Sequence, residues 1–193
     1  LMVEPGALLS EVNETAAAQG LFFPPDPTET SASIGGMIAC NASGAMSFAY
    51  GPTRRWIDAL RVVVPDGSVA CVERGRDKAS GRRFALAGED GREIAGALPD
   101  YRLREVKSAA GYYVADDMDL VDLFVGSEGT LGVITQARLR LIPRPAAIAG
   151  LMVFLPSQEV AVTLVRVLRG DEMEGFESPS MRPVAIEFFN CDA

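Results

Sequence analysis

The sequence predicts an α+β fold: a mixed or antiparallel sheet with flanking helices, followed by a smaller strand–helix–strand unit. Three observations carry this. First, WIDALRVVVPDGSVACVERG holds two β-rich runs joined by Pro65-Asp66-Gly67-Ser68. Proline presets a turn there and glycine relaxes it, which is a hairpin signal. Second, GVITQARLRLIPRP alternates, with Val133, Thr135, Ala137, Leu139 and Leu141 on one face and Gln136, Arg138 and Arg140 on the other. That pattern is a half-buried strand, ended by Pro143. Third, PGALLSEVNETAAAQG places Leu8, Val12 and Ala16 on one helical stripe before Gly20 stops it.

The remaining elements follow in order. Leu1–Glu4 reads as a short strand. LFFPPDP is apolar and then kinked by prolines, as in a fixed loop. SIGGMIACNASG predicts one or two turns of helix starting near Ser31 or Ser33. Gly75 to about Lys107 is polar, glycine-rich and charged, and reads as a surface excursion. DDMDLVDLFVG predicts a short helix capped by Asp116 or Asp117 and ended by Gly126. The Asp116-Asp117-Asp119 cluster is better explained by capping than by a hard cation. Pro143-Arg144-Pro145 marks a change, and the boundary between 1–144 and 145–193 falls there. Beyond it AIAGLMVFLP, SQEVAVTLVRVLRG and PVAIEFFN read as strand, helix and strand. Ser157 is the N-cap, and Val160, Leu164, Val165 and Leu168 form the apolar face.

Bulk properties narrow the function. The chain has 193 residues, 48% hydrophobic and 23% charged, which suits one large domain or two small ones. Its net charge is −8 and it has no Lys/Arg run, so nucleic acid is not an expected partner. Cys40, Cys71 and Cys191 are few and scattered, which fits a reducing compartment. The expected location is therefore cytoplasmic, or peripheral to an inner membrane. No apolar run approaches the roughly 20 residues of a membrane span, and no signal peptide is visible. There is no histidine, which removes the common zinc sites and Ser-His or Cys-His pairs from these residues. No metal site is expected here. Both ends read as strands in mid-course, so the expectation is a piece of a longer protein.

Two glycine-rich segments stand out. In the first, Gly35 or Gly36, Ala39, and Ala42 or Ser43 fall on one side of a helix. They form a shelf that a planar ring or pyrophosphate could approach, with backbone N–H groups near Ser33–Gly36 at the helix start. Tight helix–sheet packing explains the same residues equally well. The second, GSEGTLGVIT, is neither a Rossmann fingerprint nor a P-loop. A helix-to-strand turn needing positive φ accounts for its glycines.

Together with VEPG, GLFFPPDP, YGPTRRWI and VVVPDGSV, these two segments resemble successive signatures of the FAD-linked oxidases typified by D-lactate dehydrogenase and the glycolate oxidase flavin subunit. Those belong to the p-cresol methylhydroxylase (PCMH) / vanillyl-alcohol oxidase flavoprotein superfamily. The resemblance runs in order from Met2 to Pro145. It implies that 1–144 is the second, C-terminal part of a PCMH-type FAD-binding domain and that 145–193 begins a ferredoxin-like cap. It implies FAD as cofactor, with Pro24, Pro25 and Asp26 lining the flavin pocket and Ser33, Ile34, Gly35 and Gly36 approaching with their backbones. Asn41, Ser43 and Gly44 would continue that wall and Tyr50-Gly51 close it. Glu128, Gly129, Gly132, Val133 and Ile134 would contact the adenosine half.

The implied activity is hydride transfer to flavin from a small 2-hydroxy acid such as D-lactate or glycolate. The implied partners are the rest of the polypeptide or electron-transfer subunits. The family's pyrophosphate loop and its histidine-bearing metal and catalytic region have no counterpart here, so no catalytic residue is assigned. Alternatives are a flavin-dependent transferase on the same scaffold, such as an ether-lipid synthase, or a non-catalytic or truncated flavin-binding or assembly subunit. Cys40 reads as a buried small hydrophobe. Arg54 and Arg55 read as a solvated pair flanking a core tryptophan, Arg55 also as a candidate for a flavin phosphate or an anionic substrate. Tyr112 or Tyr113 is expected near the ring.

Overall fold

The structure is a computed structural model that describes residues 1–104, 108–176 and 182–190. Its centre is a four-stranded antiparallel sheet in the order β1 (Met2–Val3), β7 (Val133–Leu139), β3 (Ile57–Val63), β4 (Val69–Glu73). The β3–β4 hairpin forms around Gly67 at φ +83°, as the Pro-Asp-Gly-Ser turn predicts. A second antiparallel pair, β2 (Leu21–Phe22) with β8 (Ile142–Pro143), forms a separate two-stranded sheet.

Helix α1 (Leu9–Ala17) buries Leu9, Val12 and Ala16. Leu8 sits at the cap position instead, where its N–H donates to the Glu11 carboxylate at 2.9 Å. Helix α2 (Ile34–Ala39) starts at Ser33, whose hydroxyl accepts the Gly36 N–H at 3.2 Å. It buries Ile34, Met37 and Ile38. A single turn, α3 (Ser47–Tyr50), and a 3-10 turn at Thr53–Trp56 lead into β3. Helix α4 (Val121–Phe124) buries every side chain it carries. These faces meet Phe23, Ile57, Leu60, Val62, Val72 and Leu139 in one hydrophobic core.

Four expectations need correction. The excursion after Gly75 contains a hairpin, β5 (Arg83–Ala87) with β6 (Glu93–Ala97), turning at Gly91 with φ +82°. Leu86 anchors it in the core, and the Glu89 N–H donates to the Val69 carbonyl at 2.8 Å. Residues 105–107 of that stretch lie outside the described residues. Second, α4 is preceded by Leu120, and neither Asp116 nor Asp117 caps it. Those carboxylates tie down the Gly75–Arg82 loop: Asp117 accepts the Gly81 N–H at 2.7 Å, Asp119 the Gly75 N–H at 2.6 Å, and Asp116 pairs with Arg82 at 2.5 Å.

Third, β7 does not keep one face. Its register against β3 shifts between Arg61 and Val62, so Leu60 pairs with Ala137 but Val62 with Ile134. This β-bulge reverses the alternation, leaving Val133 67% exposed while Ile134 packs on the core.

Fourth, α5 (Gln158–Arg169) forms as expected, with the Ser157 hydroxyl accepting the Val160 N–H and Gly170 ending it in the left-handed region. The flanking segments do not form the two predicted strands among the described residues. A strand needs a partner ladder, and Leu151 and Phe154 are 92% and 88% exposed. Among the described residues no helix is long and apolar enough to cross a membrane.

Candidate functional site

The two glycine-rich segments meet. The Gly126 N–H donates to the Ile38 carbonyl and the Glu128 N–H to the Ala39 carbonyl, both at 2.9 Å. The second turn therefore caps the C-terminal end of α2 through its backbone, and it needs left-handed geometry to do so. Gly126 has φ +83°, Glu128 φ +52° and Gly129 φ +75°, and facing them Asn41 has φ +49°. Glycine adopts such values freely, and asparagine more readily than most residues.

Arg54 locks this junction. Its N–H donates to the Asn41 side chain at 3.0 Å, and its guanidinium donates to the carbonyls of Asp122 and Val125. Asp122 lies 3.6 Å from it and also takes two hydrogen bonds from Arg74, at 2.7 and 3.0 Å. Burial lowers the Arg54 guanidinium's pKa, while Asp122 works in the opposite direction. The solvated arginine expected from the sequence is thus a largely buried clamp. The signal for it was faint: the arginine that matters is one of two adjacent ones, and its partners lie far along the chain. Tyr113 stacks on Arg54, with 4.4 Å from the guanidinium carbon to the ring centre. Asn41, Arg54, Tyr113 and Gly126 line a small cavity of about 40 Å³ together with the loop Ser108–Gly111.

A second grouping joins the proline loop to the end of the first segment. Pro24 and Pro25 are buried. The Asp26 carboxylate accepts the Met46 N–H at 3.0 and 3.1 Å. Burial raises its pKa above the usual aspartate value; the Met46 hydrogen bond opposes this and Glu187 adds to it. Gly44 lies so close under the Asp26 carbonyl that a side chain would run into it. Ser43 is half-buried on the same loop. Tyr50 sits edge-on between Phe22 and Trp56, at 5.7 and 6.1 Å, and Gly51 is buried beneath Arg55.

Several residues expected to face a ligand are engaged otherwise. The Ile34 and Gly35 N–H groups donate to the Ala7 and Pro5 carbonyls at 2.8 Å, and the Gly36 N–H to Ser33. The start of α2 therefore offers none of these three donors to a phosphate, contrary to expectation. Gly35 packs on Pro5, where a Cβ would sit 2.7 Å from the Pro5 Cβ. Gly132 packs on β3, where a Cβ would sit 2.6 Å from Val62 Cγ1. At both positions tight packing explains the glycine. The open, side-chain-poor stripe is Gly36 with Cys40, both exposed; Cys40 is not the buried hydrophobe expected. Beside it the Glu128–Thr130 tip is exposed, with open space where a Gly129 side chain would be.

This arrangement fits one edge of a flavin dinucleotide. A stripe without bulk admits a close approach, and the Glu128 carboxylate can accept hydrogen bonds from ribose hydroxyls. Comparison with known proteins points the same way. Residues 1–72 match the family described as "FAD binding domain". The chain is 31% identical over 186 residues to a D-lactate dehydrogenase of Anaerostipes hadrus, covering 96% of this chain and 30% of that protein. It is 40% identical over 152 residues to the mitochondrial D-lactate dehydrogenase [cytochrome] of Arabidopsis thaliana, covering 77% and 20%. It is 33% identical over 144 residues to the glycolate oxidase subunit GlcD of Bacillus subtilis strain 168, covering 74% and 23%. The chain spans less than a third of the length of each of these relatives. With FAD as its cofactor and an α+β domain of antiparallel sheet and flanking helices, the chain is similar, over most of its length, to part of the FAD-linked oxidases of the D-lactate dehydrogenase and glycolate oxidase type.

Proposed function

We propose that this chain supplies part of one wall of the flavin pocket in an FAD-dependent oxidoreductase acting on a small 2-hydroxy acid such as D-lactate or glycolate. The observation that carries the reading is the backbone union of the two side-chain-poor turns, in which the Gly126 and Glu128 N–H groups donate to the Ile38 and Ala39 carbonyls at the end of α2.

 

The residues that would serve the coenzyme divide by task. Gly36 and Cys40, with Ser33 and Asn41 at the two ends of the helix, present the open stripe. Glu128 and Gly129 present the carboxylate and the gap beside it, with Val133 exposed next to them and Ile134 beneath. Pro24, Pro25, Asp26, Ser43, Gly44, Tyr50 and Gly51 form a rigid second stretch of wall, fixed by the Asp26 contacts to Met46. Ile34, Gly35 and Gly132 act from behind, by setting the packing distances that hold the two turns together. When bound, FAD supplies the hydride acceptor for the substrate's C–H, and the protein's part is to orient the ring and exclude water. Residues 145–193 open the substrate-facing unit, and further electron transfer passes to another part of the polypeptide or to a partner subunit, on the cytoplasmic side.

The test is colour. Protein carrying this chain together with the rest of its polypeptide is expected to purify yellow and to bleach anaerobically on addition of D-lactate or glycolate from a panel of 2-hydroxy acids. Colourless protein that does not take up added FAD would remove the reading. A yellow protein bleached by none of the panel would keep the coenzyme and remove the substrate class.

A further inference from the structure

At the Ile57 end of β3 lies an open depression of about 470 Å³, lined by Ala49, Tyr50, Arg55, Trp56, Arg74 and Arg140. Gly132 packs at the other end of the same strand, against Val62 and Val63. Seven residues of strand separate the two ends, about 20 Å at the usual rise. Three guanidinium groups around one hollow are notable in a chain of net charge −8.

Their partners are unequal. Arg74 is engaged by the Asp122 carboxylate, by Asp119 at 3.5 Å, and by the Ile57 and Arg54 carbonyls. Arg140 uses Nε and Nη2 on Asp58, and its Nη1 has no partner among the described residues. Arg55 has no carboxylate or carbonyl partner among the described residues, yet it is not a loose side chain. Its stem runs over the buried Gly51, where a Cβ would sit 2.5 Å from Arg55 Cδ and 2.7 Å from Nε. The missing side chain at Gly51, held at φ +74°, makes the room for it. Tyr50 and Trp56 form the apolar part of the lining, fixed by the Trp56 indole N–H donating to the Tyr50 carbonyl at 3.0 Å.

We propose that this depression is a binding site for a small oxyanion, a carboxylate or a phosphate group on a small molecule, with Arg55 as its anchor and Arg140 Nη1 as the second donor. A guanidinium presents a planar fork of N–H donors that matches both groups. Arg74 contributes charge, and the Tyr50 and Trp56 rings receive the ligand's less polar part. The site does not depend on the flavin reading.

Trp56 is the chain's one tryptophan and lines the hollow, so its fluorescence reports on this site without flavin. The experiment titrates the 193-residue chain with sodium D-lactate and, separately, with inorganic phosphate, holding ionic strength constant with chloride. A saturable change in Trp56 emission is expected with at least one of them. Tighter binding of D-lactate assigns a carboxylate ligand, and tighter binding of phosphate a phosphorylated one. Arg55→Gln should weaken binding at least about tenfold while leaving the circular dichroism spectrum unchanged, and Arg55→Lys should keep part of the affinity. Arg140→Gln, which leaves Arg55 in place, should weaken binding less, and it serves as the second variant where Arg55→Gln does not fold. Absence of saturation with both anions, or a folded Arg55→Gln that titrates like the parent chain, overturns the proposal.

Discussion

The Arg54 guanidinium lies 4.4 Å from the centre of the Tyr113 ring and, in the same position, donates to the carbonyls of Asp122 and Val125. One largely buried side chain thus holds three stretches together: the turn before β3, α4 and the glycine turn after it. Arg54→Met leaves two inward carbonyls without a donor and Asp122 with Arg74 alone. The expected loss is about 3 kcal/mol, read as a lower urea midpoint at unchanged slope. Arg54→Lys should recover less than half of it, because an ammonium lacks the planar fork. A Met variant as stable as the parent would mean that the clamp is dispensable.

The glycines of the two turns should respond very differently to a methyl group. Gly44→Ala drives a Cβ into the Asp26 carbonyl, which is backbone and cannot swing aside. A cost of about 3 kcal/mol or more follows. Gly129→Ala meets nothing within 4 Å but must hold φ +75°, at about 1–2 kcal/mol. Thermal melts of the two variants check the order. If FAD affinity also drops in folded Gly129→Ala, the coenzyme comes close to that backbone; unchanged affinity would move it elsewhere.

Much of the fold could be read in advance because it rests on local chemistry. Ser33 caps α2, the Pro-Asp-Gly-Ser turn makes the β3–β4 hairpin, and α1 carries its apolar stripe. The union of the two glycine turns followed from family resemblance rather than from spacing, since both segments also read as ordinary packing and turn glycines. What stayed hidden depends on distant partners. Nothing near Arg54 announces Asp122 or Val125, and nothing near Ile34 shows that its N–H will meet the Ala7 carbonyl. The β5–β6 hairpin was obscured by its own glycines, although Asp90-Gly91 is a turn signal of the same kind as Asp66-Gly67. The strands expected around α5 failed for a different reason: a sequence can favour an extended chain without supplying the neighbour it must pair with.

The bulge in β7 gives a direct check on side-chain direction. Strict alternation would bury Val133 together with Ala137 and Leu139, but the shifted register leaves it 67% exposed. Val133→Thr should therefore change stability by no more than about 0.5 kcal/mol. Leu139→Ala, at a 2% exposed position, should cost about 3 kcal/mol. Equal losses from the two substitutions, measured by denaturant unfolding, would restore the unbroken strand.

Asp26 makes stability depend on pH in a predictable sense. Burial raises its pKa in the folded chain and the neighbouring Glu187 adds to this, against the hydrogen bond from Met46. A carboxyl group with a raised folded pKa binds its proton more tightly in the folded state. Its stabilising contribution is therefore complete below the ordinary aspartate range and is lost as the pH climbs through the raised folded value. Asp26→Asn stays uncharged throughout and keeps an acceptor for the Met46 N–H. The variant should match the parent in acid and become the more stable of the two towards neutrality, as seen by melting both proteins from about pH 3 to pH 7. A stability difference that does not vary over that range would show that Asp26 ionises in the folded chain as freely as it does in the unfolded one.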